Sequence, residues 1–209
     1  ANALRTYAPE SISGLINLVL QSDSEVVASR AEQILGDIGV AVVRPVIEAL
    51  FPVVPERTPL LVHVLEHVRD PEAVPVLISL LEIPHVEQPL AIAVVHALGQ
   101  FPDRRVVQPL LNTLASTQPL IYEGAINALS NLGEVALDRL IAALDIEQKT
   151  AVTPRVQRAL LGMIDFPGER LLAAIARGSD AQAQNIMDVF LSKGGEAAQV
   201  LVAHLFDED

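Results

Sequence analysis

The chain has 209 residues, 51% of them hydrophobic but only 3% aromatic, so a large core must be built from Leu, Val, Ile and Ala. Fourteen Lys and Arg against 26 Asp and Glu leave a net charge near −12, which repels phosphate backbones and argues against nucleic-acid binding. The absence of Cys excludes disulfides, thiolate metal sites and thiol catalysis, and no apolar run reaches the roughly 18 residues of a membrane helix.

The first patterned segment is GLINLV (14–19), apolar in its second, third and sixth places, within a helix expected over about residues 9–20. ASRAEQILGDIG (28–39) follows as a helix of a second type, with Ala31, Ile34, Leu35 and Ile38 expected in the core. The two types then alternate. PVIEAL (45–50), PVLISL (75–80), PLLNTL (109–114), RLIAAL (139–144), RLLAAI (170–175) and VLVAHL (200–205) repeat the GLINLV pattern. Their starts lie 31, 30, 34, 30, 31 and 30 residues apart, and all 21 matched positions are apolar. The i, i+1, i+4 spacing gathers these residues on one helical stripe. Between them the first-type helices recur, with core residues at Leu65, Leu98, Leu129, Leu161 and Phe190.

Punctuation agrees with this alternation. Gly36, Gly39, Gly99, Gly133, Gly162 and Gly194 fall where helices of the first type should end in a left-handed cap. Pro59, Pro71, Pro89, Pro119 and Pro154 mark helix starts, where a missing N–H costs little. Pro45, Pro75 and Pro109 are tolerable only in a first turn, so their helices should begin about three residues earlier. The extra residues of the 34-residue unit fall in EIPHVEQP (82–89), expected to bulge, and DIEQKTAVTP (145–154) is the longest connection. One unit of about 31 residues buries too little surface to stand alone, so the copies must stack. The expectation is an all-α solenoid of about six helix pairs after a leading single helix, forming one domain over residues 1–209.

The run VVHALGQFPDRRVVQPLLNTL (94–114) resembles the short HEAT-like repeat of the phycobilin lyase family of cyanobacteria. Ala97-Leu98-Gly99, the Asp103-Arg104 turn and Val107-Gln108-Pro109-Leu110-Leu111 carry the resemblance, while GDIGVAVVRP (36–45) and VRDPEAVP (68–75) keep the apolar skeleton without the Asp-Arg turn. The likeness extends over roughly residues 10–205 and specifies a fold. It implies lyase subunits, bilin-detaching factors or adaptors as relatives, and transfers no catalytic residue.

HVLEH (63–67) matches H-x-x-E-H, a metallohydrolase pattern. Register with Leu61, Val64, Leu65 and Val68 turns both histidines away from the core, and His85, His96 and His204 offer no obvious third ligand. His96 occupies the place of His63 one repeat on, so the reading is a surface patch. No His-Glu dipeptide supports the di-iron site of the deoxyhypusine hydroxylase type. KGGEAA (193–198) lacks phosphate-loop spacing, and Asp207-Glu208-Asp209 reads as an acidic tail. No catalytic, cofactor or metal residue is therefore assigned.

The remaining surface belongs to the second-type helices. Their outward places include Asn17, Glu48 and Asn112, and Asp138-Arg139 and Glu169-Arg170 occupy matching places expected to form a mixed-charge ladder. These seven residues are the candidate partner-binding set. The expected function is a non-catalytic scaffold or adaptor for a protein partner, in the cytoplasm and without nucleic-acid or membrane binding. The resemblance implies the alternative, a lyase subunit or bilin-handling factor that contacts bilin propionates or a phycobiliprotein. The leading helix lacks a packing mate, so preceding residues or a second chain, as in a dimer through that end, are expected to cover it.

Overall fold

A computed structural model describes residues 9–54, 56–145 and 150–195. The chain divides into two compact units, Ala1–Phe101 and Pro102–Asp209. The first unit holds α1 (Pro9–Gln21), α2 (Glu25–Ile38), α3 (Val43–Ala49), α4 (Thr58–Val68), α5 (Val74–Leu81) and α6 (Gln88–Leu98). The second holds α7 (Val107–Thr113), α8 (Pro119–Leu132), α9 (Glu134–Ala142), α10 (Val152–Leu161), α11 (Gly168–Ile175) and α12 (Asp180–Lys193). The described residues are all-helical, and the two helix types alternate as the sequence pattern requires. VLVAHL (200–205), His204, the acidic tail and residues 1–8 lie outside the described residues, as does 146–149 of the long connection.

Four of the described second-type segments each bury two residues of the stripe completely. Val46 and Leu50, Leu77 and Leu80, Leu110 and Leu114, Leu140 and Leu144 are fully buried. The prolines sit where the missing N–H is harmless. Pro75 is the second residue of α5, and Pro45 and Pro109 are the third residues of α3 and α7. Single 3-10 turns at Val40–Val42, Pro71–Ala73 and Arg104–Val106 lead directly into these helices. Asp70 and Asp103 cap the latter two turns alike, each carboxylate accepting the N–H two residues on at 2.8 Å. VRDPEAVP therefore keeps the function of the Asp-Arg turn while losing its letters.

Two core assignments are corrected. Ile34 is 41% exposed. Its counterparts Val64 and Ala97 are buried, in helices that follow another first-type helix, whereas no described first-type helix precedes α2. In α10 the buried leucine is Leu160, one residue before the expected Leu161, and it continues the Val156–Ala159 stripe. The caps are also mixed. Gly39 and Gly133 turn with positive φ (83° and 52°), but Gly99 and Gly162 keep right-handed helical values. Gly162 is instead a close approach, since a Cβ there would lie 2.7 Å from Ser130 Oγ, which bonds the Ala159 carbonyl at 2.8 Å. The 82–87 segment between α5 and α6 is a largely exposed turn with His85 at φ 59°.

The helix C-termini explain how neighbouring pairs are tied. The last carbonyls of a helix have no partner within it, and here polar side chains of a later first-type helix supply one. The Arg57 guanidinium at the start of α4 donates to Ser22 O, just past α1 (2.8 Å). Arg155 on α10 donates to Leu114 O and Ser116 O beyond α7. On α12, Gln182 donates to Ile141 O and Asn185 to Leu144 O at the end of α9, at 2.8 and 2.9 Å. The same relation between elements thus recurs three times.

Candidate functional site

All of HVLEH except the buried Leu65 lines a groove of about 570 Å³ on the first unit, with Glu32, Gln33 and Gly36 of α2 and His96 of α6. His63 Nδ1 is 3.5 Å from Glu32, and His96 Nδ1 is 3.0 Å from Glu66. The glutamate of the motif therefore engages the next helix, and among the described residues no three His, Asp or Glu side chains are placed to hold a metal. The histidines point outward, as their register requires, and both stand two residues before the buried leucine of their helix. Arg158 has that same place in α10 and forms a two-pronged pair with Glu123 of α8 at 2.6 and 2.7 Å. A basic residue paired with a carboxylate of the preceding first-type helix is thus a recurrent outer-face clasp, titratable in one unit and permanently charged in the other.

Hydrogen bonding to Glu32 holds the His63 imidazole above its ordinary range, against the opposing effect of burial. Because the folded value is raised, the stabilisation is fully present below the unfolded value of about 6.5 and disappears as pH rises through the folded value. His63→Gln is expected to lower stability by up to about 0.5 kcal/mol at acid-neutral pH, given the exposed side chains. At pH 8.5 it should match the parent. Thermal melts at the two pH values check this, and an equal deficit at both would deny the charged clasp.

The second unit carries the larger groove, about 800 Å³, lined by Glu134, Phe166 to Arg170, Phe190 and Lys193 to Gly195. Phe190, fully buried in α12, supplies the floor and meets Phe166 edge to face, with centroids 5.6 Å apart. Lys193, one turn beyond Phe190, places its Nζ 5.2 Å from the Phe166 ring and donates to Leu161 O at 3.4 Å. Arg170, in the first turn of α11, reaches back to α9, pairing with Asp138 and, at 3.6 Å, with Glu134. Among the described residues the groove therefore joins an aromatic wall to the cations Arg170 and Lys193 and the carboxylates Glu134 and Glu169.

The seven candidate residues divide between the units. Asn17 of α1 and Glu48 of α3 are exposed on the first. Asn112, also exposed, accepts from Gln108 within α7 (3.0 Å). None of these three lines either groove. Glu169 and Arg170 line the aromatic groove, and Asp138 anchors Arg170. Arg139 is exposed, and among the described residues no ion pair joins it to Glu169, so the ladder reduces to the single rung Asp138–Arg170 with Glu134 beside it. Phe166 and Lys193 escape sequence reasoning, and Phe190 is expected from it only as a core residue. For the two aromatics the one available signal is scarcity, as the chain has only five Phe and no Trp.

Residues 85–161 match a family model described as HEAT repeats. Over 70 residues the chain is 43% identical to "Bilin biosynthesis protein PecE" of Mastigocladus laminosus, a stretch covering 32% of this chain and 25% of that relative. The chain thus spans about a quarter of that protein's length. Among solved structures it is similar to the complex of CpcE and CpcF of phycocyanin lyase from Nostoc sp. PCC7120, with a TM-score of 0.58 and 21% identity over 72% of this chain and 98% of the other. It is also similar to an engineered protein (TM-score 0.51, 17% identity, 92% and 94% covered) and to human deoxyhypusine hydroxylase (0.50, 15%, 96% and 91%). The structural likenesses concern the fold alone. Alternating helix types, the recurrent carbonyl ties and these matches together make the chain a HEAT-like repeat protein resembling the phycobilin lyase family.

Proposed function

We propose that this chain is a non-catalytic, protein-binding subunit of bilin-handling machinery, acting on phycobiliproteins in the cytoplasm. The observation that carries this reading is the 43% identity to a bilin biosynthesis protein over 70 residues. The exposed second-type surfaces, with Asn17, Glu48, Asn112, Asp138, Arg139, Glu169 and Arg170, offer polar contacts to a partner, and residues 1–209 work as one domain. The fold likeness to the CpcE–CpcF complex supports a second HEAT-like chain as one partner. Leu18, Val26 and Ile34, exposed on α1 and α2, would be its contact, making a dimer through that end. No described helix is long and apolar enough to cross a membrane, and the net charge of −12 disfavours nucleic acid.

The test mixes the chain with apo-phycobiliprotein and phycocyanobilin, then follows capture of the protein and the visible spectrum. Capture of apo-phycobiliprotein, with a changed bilin spectrum in the mixture, is the expected result. Neither capture nor spectral change, with a different protein recovered, would leave a scaffold unrelated to bilins. Covalent transfer by the chain alone would make it an enzyme and overturn the non-catalytic part.

A further inference from the structure

The geometry points to the furrow between α2 and α4 of the first unit as a site for a divalent first-row transition metal, held by the imidazoles of His63 and His67. The two histidines stand one helical turn apart, the spacing at which a helix presents two imidazoles to one ion. Their contacts on α2 keep the same step. His63 meets Glu32, with Nδ1 3.5 Å from the carboxylate, and His67 lies over Gly36, one turn further along α2. A Cβ at Gly36 would stand 3.0 Å from His67 Cδ2, so the missing side chain is what lets that ring settle against α2. The two rings are thus laid along a single groove, and both are exposed in it.

Glu32 adds what a bare histidine pair lacks. In neutral imidazole one nitrogen carries a proton and the other a lone pair. Donation from Nδ1 to Glu32 selects the tautomer that offers Nε2 to a metal, with the carboxylate orienting the ring and raising its basicity as a ligand. Imidazole nitrogen suits nickel, copper and zinc, whereas magnesium and calcium take oxygen ligands. Among the described residues no group of three His, Asp or Glu forms a cage, so the site is an open one whose remaining positions go to water. The next helix pair supplies the contrast. His96 repeats the place of His63, with Nδ1 3.0 Å from Glu66, but four residues on stands Gln100, which accepts from Arg69 at 3.2 Å. A clasp without a second imidazole makes no site, and His96 is therefore the internal control. The inference is independent of the bilin-handling reading.

Nickel is the probe, titrated calorimetrically into the whole chain at pH 8.5, above the ordinary imidazole range. One ion should bind per chain, and copper should bind more tightly than nickel while magnesium does not bind. His63→Gln and His67→Gln should each weaken nickel at least about tenfold, and the double substitution should abolish binding. Glu32→Ala removes no ligand but takes away the supporting carboxylate, and should weaken nickel about tenfold. His96→Gln should leave the affinity unchanged. Both ligands are exposed, so their substitution leaves the core intact, and thermal melts give a second readout. Nickel should raise the melting temperature of the parent and of His96→Gln, and should not raise that of the double variant. Absence of saturable nickel binding, binding that survives the double substitution, or equal weakening by His96→Gln would overturn the site.

Discussion

Leu65→Ala should cost about 2–5 kcal/mol of stability, whereas His63→Ala, two residues away in the same motif, should cost less than about 1 kcal/mol. Leu65 is fully buried, together with Leu61 on the same face and Val64 beside it. Truncation removes its transfer energy and leaves a cavity in a helix whose neighbours are held by further pairs. His63 is exposed and its contact is the outer clasp to Glu32. Urea denaturation of the two variants measures the difference. Comparable losses would mean that the histidine face carries structural weight beyond the clasp.

Arg155→Ala is the second large expectation, a loss of about 2–4 kcal/mol. Its guanidinium donates to Leu114 O and Ser116 O and lies 3.6 Å over the Tyr122 ring. Hydrogen bonds to a charged donor contribute about 1.5–3 kcal/mol, and a partly desolvated cation–π contact about 1 kcal/mol more. The truncation also strands the carbonyls at the end of α7. Arg155→Lys should recover only part, since an ammonium cannot both fork to two carbonyls and lie flat on the ring. Chemical denaturation of both variants checks this. A lysine variant as stable as the parent would show that charge alone suffices and that the fork is unimportant.

The alternation of helix types was legible in the sequence because core positions in a helix repeat regularly and each pair repeats the last. Leu65, Leu98 and Leu129 could be placed in the core from spacing alone, and the outward direction of His63 followed from them. Ile34 could not, because its burial depends on whether a helix lies in front of it, which a residue's own pattern does not record. Leu161 failed for a related reason. Two adjacent leucines satisfy the pattern equally well, and only the packed stripe chooses Leu160.

The candidate site was readable only in part. Glu169 and Arg170 stood out by repeating Asp138 and Arg139, yet the expected ladder reduces to one rung because Arg170 reaches back to α9 while Arg139 pairs with neither carboxylate. Sequence by itself determined the repeat, the helix boundaries set by proline and aspartate, and the inward or outward direction of most side chains, since these depend on local geometry of period 3.6. Tertiary structure alone decided that Phe166, Arg170 and Phe190, with Lys193 one turn further, meet at one groove. They come from three separate segments, and convergence of that kind depends on how helices pack.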